Sequence, residues 1–346
     1  MSQNRVYYAC QAVEFNGHFL EGVQSVGINA SYNFEQVFEL GLLEIYENVE
    51  GIPEVEVTIE KAVLSGVKPL VESMALNDLY GGTAESVSSS TANPAHNIIK
   101  IADATPEIVL HTFAETATTV FGSTPSGTNS LVITSGFLTS YSITGNMDGP
   151  STESLSFTSN NYDWGTSAAM TALTANSSAA QVVQKRQNAN PYNYAGLQSW
   201  TMSCDFGRED IMELGKKQPI TKVATFPLEV TCEEEFLNRN TTATNGPDFP
   251  GTPECADVTG TSLKKHGFAP CNDTDPDVMV SGVGFRLTSV NHTGGDAGGG
   301  NQTVSKSFQT FNSFAINSTY SKHYNQLNST QVSDTKFTGG NTITSE

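Results

Sequence analysis

The sequence predicts a mainly β protein, a β-sandwich or barrel with small flanking helices, present as two tandem related domains. Three observations predict it. Charged residues make up only 15% and hydrophobic residues 37% of the 346 positions, and Ser, Thr, Asn and Gly fill the difference. That composition favours strands and turns over long charged helices. Several segments alternate apolar and polar residues, and one block of sequence occurs twice. The length suits two domains of ~150–170 residues better than one.

In chain order, residues 6–15 (VYYACQAVEF) are poor in charge and rich in aromatic and β-branched types. Asn16-Gly17 follows, and Asn-Gly between two such runs predicts a hairpin. In VEVTIEKAVL (55–64), Val55, Val57 and Ile59 fall on one face and Glu54, Glu56, Thr58 and Glu60 on the other, the pattern of a half-buried strand. Residues 68–78 (KPLVESMALND) place Leu70, Val71, Met74 and Leu76 on one helical face. A Ser/Thr-rich loop (83–95) precedes strands near 97–103, 107–113, 130–145 and 151–159, the last pair joined by a turn at 145–150. Small residues over 166–181 read as a linker or a short helix, and 166–190 is placed as the linker between domains. In the second half, 207–217 reads as a helical turn or ordered loop and 222–236 as a strand pair. Residues 240–277 read as a Pro/Gly-rich loop insertion, and strands over 278–290 and 303–316 flank a glycine-rich tip (294–301). The domains are therefore placed at 1–165 and 191–316, each with enough strands for its own small core, followed by a polar tail over 317–346.

The repeat carries most of the information. VQSVGINASYNFEQVFELG (23–41) lies over LQSWTMSCDFGREDIMELG (197–215). Gln24, Ser25, Glu35, Glu39, Leu40 and Gly41 match Gln198, Ser199, Glu209, Glu213, Leu214 and Gly215. Pro53 falls on Pro227 at the same offset, and each leads into a Glu-Val segment. The shared glycine, Gly41 or Gly215, is expected to supply a positive-φ turn. A second match joins Leu138-Thr139-Ser140 to Leu287-Thr288-Ser289. Two blocks in one order argue for a duplicated module, and two modules per chain let three chains make a pseudo-sixfold ring.

Charge and motifs exclude several classes. Thirty-six acids against seventeen bases give −19, which argues against a basic nucleic-acid-binding face. Residues 35–60 hold eight Glu and no base. No apolar run reaches ~18 residues, so no membrane span is expected, and the opening residues lack the pattern of a secretory leader. Cys10, Cys204, Cys232, Cys255 and Cys271 show no CxxC spacing and are expected to be reduced thiols, with a Cys255–Cys271 loop closure left open. The six histidines form no HExxH or paired motif, and no G-x-S-x-G, P-loop or dinucleotide fingerprint is present. No enzyme activity, metal or cofactor is expected. Glu233–Glu235 reads as a solvated strand end, and Trp164 and Trp200 as structural residues at strand edges.

The segments NRVYYACQAV, GVQSVGINASYNFEQVFELGLLEIYENVEGIPEVEV, SCDFGREDIMELGKKQPITKVATFPLEV and ITSGFLTSYSITGNMDGPSTESLSFTSNNYDW resemble tail tube (major tail) proteins of tailed bacteriophages. The resemblance covers 1–165 and 195–240 well and 278–316 weakly. It implies β domains with a flanking helix, set in rings whose inner strands form one continuous barrel, with stacked rings as the conduit for DNA ejection. It implies a ring of three two-domain subunits, or six, and contacts with further rings, sheath, terminator and baseplate or tip proteins. DNA would pass without specific binding. The location would be the virion tail, made in the host cytoplasm. Glu54 and Glu56 are the candidate acidic lumen residues, although that strand could equally face the outside or a sheath. The alternatives are a tail hub, tip or terminator ring, and a glycan-binding β-rich adhesin.

Overall fold

The computed structural model describes residues 11–16, 18–41, 43–64, 69–71, 74, 101–112, 129–146, 149–166, 197–216, 218–237, 264–268, 278–282, 284–294 and 302–318. The loop 83–95, the linker from 167, most of the 240–277 insertion, the tip 295–301, the tail from 319, and Cys10, Cys255 and Cys271 lie outside the described residues.

The first half contributes β1 (Gln11–Phe15), β2 (His18–Phe19), β3 (Val23–Phe38), β4 (Ile45–Ala62), β5 (Ile108–Thr112), β6 (Asn129–Ile133), β7 (Phe137–Asn146), β8 (Thr152–Ser159) and β9 (Tyr162–Thr166). The second contributes β10 (Leu197–Asp205), β11 (Arg208–Ile211), β12 (Thr221–Ala224), β13 (Glu229–Leu237), β14 (Lys264–Phe268), β15 (Val278–Gly282), β16 (Arg286–Thr293), β17 (Thr303–Phe311) and β18 (Ala315–Ser318). The predicted Asn-Gly hairpin is present: β1 and β2 pair antiparallel, with Asn16 at φ 49°. The alternation in β4 is also as predicted, with Val55, Val57 and Ile59 buried and Glu54, Glu56, Thr58 and Glu60 exposed.

The strands form a mainly β, two-layer architecture. One layer is an eight-stranded antiparallel sheet of order β16-β17-β13-β10-β7-β8-β4-β3. Its inner face packs on a five-stranded sheet, β2-β1-β5-β6-β9, and on a three-stranded sheet, β14-β15-β18. Phe15 of β1 meets Phe157 of β8 at 6.0 Å between ring centroids, and Phe314, just before β18, meets Tyr141 of β7 edge-on at 5.5 Å. A two-stranded ladder, β11-β12, stands apart from these sheets.

Several expectations are corrected. Residues 101–103 are helical instead of extended, with the Ala104 N–H donating to the Ile101 carbonyl and Ile101 and Ala102 buried. The apolar pair is thus buried from helical and not from strand backbone. Residues 208–211 are a strand, because Glu209 and Asp210 take ladder partners in Val223 and Lys222. The insertion contains a strand, β14, which pairs with β15. Two separate cores were expected, yet buried residues from both halves form one continuous cluster, because β10 hydrogen-bonds directly to β7 and carries the sheet across. Among the described residues, helix is found at Leu70, Val71 and Met74, within the predicted 68–78 segment, and at 101–103.

Strand pairing repeats between the halves. The first gives β7-β8-β4-β3 and the second β16-β17-β13-β10, in the same order and the same sense. The covering layers repeat too, β5-β6-β9 against β14-β15-β18. Irregularities recur at matching places. Gln24 and Gln198 are each the extra residue of a bulge, and so are Thr139 and Thr288. The hydroxyl of Ser25 donates to Glu60 at 3.2 Å and that of Ser199 to Glu235 at 3.3 Å. Thr139 and Thr288 donate to the Ser156 and Ser307 carbonyls at 3.0 and 2.9 Å. Ladder partners set the correspondences: β3 onto β10 at +174, β7 onto β16 at +149, and β4 onto β13 at +175. Past Pro53 the second half therefore carries one extra residue, so Val55 answers to Val230.

Inside the core the halves diverge. Lys61 and Glu153 are ladder partners on β4 and β8, both fully buried, with Nζ to Oε2 at 3.9 Å. Glu153 also accepts the Leu70 and Val71 N–H groups at 3.1 and 3.4 Å, satisfying donors that a helix start leaves open. The equivalent pair in the second half is apolar, Phe236 with Val304, and a Glu234–Lys306 ladder pair stands where the first half has Ile59 with Leu155. The middle glutamate of the 233–235 run is therefore buried, contrary to the solvated reading, because alternation turns at least one of any three consecutive strand residues inward.

Burial pushes the Lys61 ammonium below its ordinary 10.5, with Glu153 and Glu21 opposing the shift. Between the lowered folded value and 10.5 the unfolded chain binds the proton and the folded chain does not, so stability rises with pH in that window. Lys61→Met leaves the Glu153 carboxylate buried without a counter-charge and is expected to cost about 3–5 kcal/mol in urea unfolding. The same variant loses this part of the alkaline rise. Lys61→Met with Glu153→Gln recovers most of the loss, since no buried charge remains and the amide oxygen still accepts one of the two N–H groups of the helix start.

Candidate functional site

The outer face of the eight-stranded sheet and its two end strands form the candidate site. Alternation in every strand sends apolar residues inward, so the other face is polar throughout its middle. One row, read through ladder partners, runs Arg286, Gln309, Thr231, Ser203, Ser142, Ser154, Glu60, Ser25 across all eight strands. Seven acids lie on this face: Glu54, Glu56 and Glu60 on β4, Asp205 on β10, and Glu229, Glu233 and Glu235 on β13. Arg286 is exposed on β16 and is the base in this row. Nothing in this face resembles a cluster of bases for phosphate.

The structure divides the repeat residues between two places. Gln24, Ser25, Gln198 and Ser199 form the matched bulges within the sheet. Glu35, Glu39, Leu40 and Gly41, like Glu209, Glu213, Leu214 and Gly215, lie on a hairpin arm that continues beyond the sheet in each half. The first arm is the far half of the β3–β4 ladder and the second is β11-β12. Each arm ends in the predicted turn, with Gly41 at φ +97° and Gly215 at φ +92° and nothing within 4 Å of a Cβ built on either. Leu40 and Leu214 beside them are fully exposed. Lys216 pairs with Glu213 at 2.7 Å in the second tip.

The arms have different surroundings. The second folds against the first half. Arg208 donates from Nε to the Leu138 carbonyl and from Nη1 to the Ala102 carbonyl, both at 2.8 Å, and its guanidinium lies 5.7 Å from the centroid of the Phe137 ring. Burial holds this guanidinium down at about 10, with Asp103 opposing. The Phe206 N–H donates to the Thr139 carbonyl at 2.8 Å, and Gln218 donates to the Asn160 carbonyl at 3.3 Å. Lys222 pairs with Asp210 at 2.8 Å. The first arm exposes Phe34, Phe38, Tyr46 and Val49, with Phe34 59% accessible.

No family model and no curated protein matches this chain. Among solved structures, one similar chain is the anti-feeding prophage cap, a tube-terminating cap, at 12% identity and a TM-score of 0.33. Another belongs to the extended sheath–tube complex of an extracellular contractile injection system, at 10% identity and a TM-score of 0.32. Each alignment covers 48% of this chain and 95% of the other.

Of the sequence candidates, Glu54 and Glu56 lie exposed on the polar face of the sheet, as the alternation of β4 predicts. The acids of β13 were legible in principle, as alternate residues of Glu229–Glu235, but the glutamate triplet obscured the alternation. Asp205, Arg208 and Arg286 carried no local signal, because their significance comes from strand order. Trp200 is buried within β10, whereas Trp164 is more than half exposed on β9. The Cys204 thiol is buried and pushed up to about 12, first by burial and then by Asp205, which makes it a poor nucleophile.

The chemistry of this acidic face is testable by reversing charge. Glu56→Lys, Glu60→Lys and Glu233→Lys together are expected to give salt-dependent retention of duplex DNA where the unaltered protein retains none. Each new phosphate contact adds about one to the log–log salt slope, which filter binding across a salt series checks.

Proposed function

We propose that this protein is a structural, non-enzymatic subunit of a phage-type tail tube, with one β module carried twice, as domain 1 (1–165) and domain 2 (191–316). In this reading, copies close into rings and rings stack into a conduit that DNA crosses without binding. Other rings, sheath, terminator and baseplate or tip proteins are its partners in the virion tail.

One observation carries the reading: the β10–β7 pairing joins an end strand of one half to the opposite end strand of the other. The equivalent of β10 in the first half is β3, and the equivalent of β7 in the second is β16. These are the two end strands of the eight-stranded sheet. Repeating the junction between copies pairs β3 of one with β16 of the next. Such a contact is head-to-tail, and it makes a ring when the rotation closes. Three copies would bring three times eight strands and six modules to one barrel, and closure removes the open edges. The likeness to injection-system parts is not needed for this argument.

The junction also specifies a register. Ser203 opposes Ser142 and Cys204 opposes Tyr141, so Asn29 should oppose Asn291, and Ala30 should oppose Val290, of the neighbouring copy. Asn29→Cys with Asn291→Cys is expected to give covalent chains of two and three subunits under mild oxidation or with a short bis-maleimide, while either single variant does not. Negative-stain images should show hollow rings stacked into tubes. Single unstacked rings would favour a terminator, hub or tip part. A monodisperse monomer with no cross-linking would overturn the reading.

A further inference from the structure

The ring reading leaves the first arm's partner unassigned, and the strand correspondences identify it. We propose that Phe34 of one copy packs on the Arg286 guanidinium of the next, the same cation–π contact that Arg208 and Phe137 make within the chain, with its two members exchanged. The inference rests on the ring proposal and adds a specific contact to it.

The positions follow from the ladders. Arg208 opposes Ala224 in the second arm and Phe34 opposes Glu50 in the first, both at an offset of 174, so Phe34 occupies the place of Arg208. Phe137 and Arg286 open equivalent strands. Phe137 pairs with Thr158 and Arg286 with Gln309, each one step before a Leu whose partner is a Phe and two before the bulge. Arg286 thus occupies the place of Phe137. Within the chain the arm supplies the cation and the sheet supplies the ring. Between copies the arm would supply the ring and the sheet the cation. A cation over an aromatic face is attractive whichever partner carries the charge.

Chemistry at both positions agrees with this placement. Phe34 is 59% accessible, a large apolar side chain with solvent on most of its surface. Arg286 is exposed and is the base in its row, at the end strand that β3 of a neighbour would join. The main-chain bond from Phe206 to the Thr139 carbonyl has its counterpart in Tyr32 and Thr288, so the backbone next to the pair would be fixed in the same way. The exchange also serves specificity. The internal and external junctions share a backbone geometry, but an arm carrying Arg meets a Phe and an arm carrying Phe meets an Arg. Pairing the wrong halves would set Arg against Arg or Phe against Phe.

A double-mutant cycle on assembly of the full chain tests this. The readout is the concentration at which half the protein sediments as rings or tubes. Phe34→Arg places two guanidinium groups together and is expected to raise that concentration about tenfold or more, since a lost cation–π contact and a like-charge pair act together. Arg286→Phe is expected to raise it less, and Phe34→Tyr to leave it within about twofold. The exchanged variant, Phe34→Arg with Arg286→Phe, should return to within about threefold of the unaltered protein. Unchanged circular dichroism and thermal melting check that each variant folds. Losses that merely add in the exchanged variant, while the unaltered protein forms rings and the Asn29→Cys/Asn291→Cys pair cross-links, overturn the contact and leave the ring reading standing. An unaltered protein that forms no rings and gives no cross-link overturns both.

Discussion

The antiparallel pairing of β10 with β7 is the interaction on which the rest depends. It turns two four-stranded sheets of the same order into one eight-stranded sheet with a direction, ending in β3 at one side and β16 at the other. Edge strands in proteins that stay separate carry deterrents such as Lys, Pro or inward charges. The 16 residues of β3 contain neither Lys nor Pro, and its bulge at Gln24 is set on the side facing β4. β16 has no Pro and no Lys either. Among the described residues no strand pairs with the outer side of either end strand, and the internal junction already specifies how an added strand would lie.

The two halves show which features this arrangement constrains. Bulges, the Ser–Glu and Thr–carbonyl hydrogen bonds and the turn glycines are the same in both, because each fixes the register or the path of a strand. The buried polar residues differ. One half holds Lys61 with Glu153 and the other places Glu234 opposite Lys306 two residues along, with apolar pairs exchanged into the vacated positions. Side chains inside the core can be traded at nearly constant volume and charge without moving the backbone. Register cannot be altered so cheaply, since one step would turn the acidic face of β4 into the core.

Much of the fold was legible from local signals. The Asn-Gly hairpin, the alternation of β4 and the Leu-Thr-Ser blocks each report on neighbours within a few residues, and the duplication was visible because bulge and turn residues recur. The strand at 208–211 was not legible, since its charged residues become stable only against Val223 and Lys222 in the opposing ladder. The helical turn at 101–103 was not, because Ile-rich sequence favours strands until tertiary burial decides otherwise. The pairing of β10 with β7 is not legible from local pattern, because backbone groups make most of it, with the Thr144–Thr201 hydroxyl bond at 3.0 Å added. For the candidate site, Glu54 and Glu56 could be read from alternation, while Arg286 and Phe34 gained meaning only once strand order had set their counterparts.

In the proposed ring, the distribution of acids suits a passage better than a binding groove. Six of the seven acids on the polar face lie on β4 and β13, which are equivalent strands four places apart in the sheet. At about 4.8 Å between strands, acidic ribs would recur roughly every 19 Å around a barrel. That exceeds twice the screening length of about 8 Å at physiological ionic strength. Neighbouring ribs would therefore add little to each other's repulsion, and ring closure would not be opposed by its own lining. The strands between ribs present Ser, Thr and Asn, which can exchange hydrogen bonds with water and offer phosphate no fixed cation. A polyanion near this surface would meet repulsion from each rib and hydration between them, so no position along the bore would hold it. The exposed Arg286 is the exception in its row. With its charge taken up by an aromatic ring at the junction between copies, it would be turned away from that role.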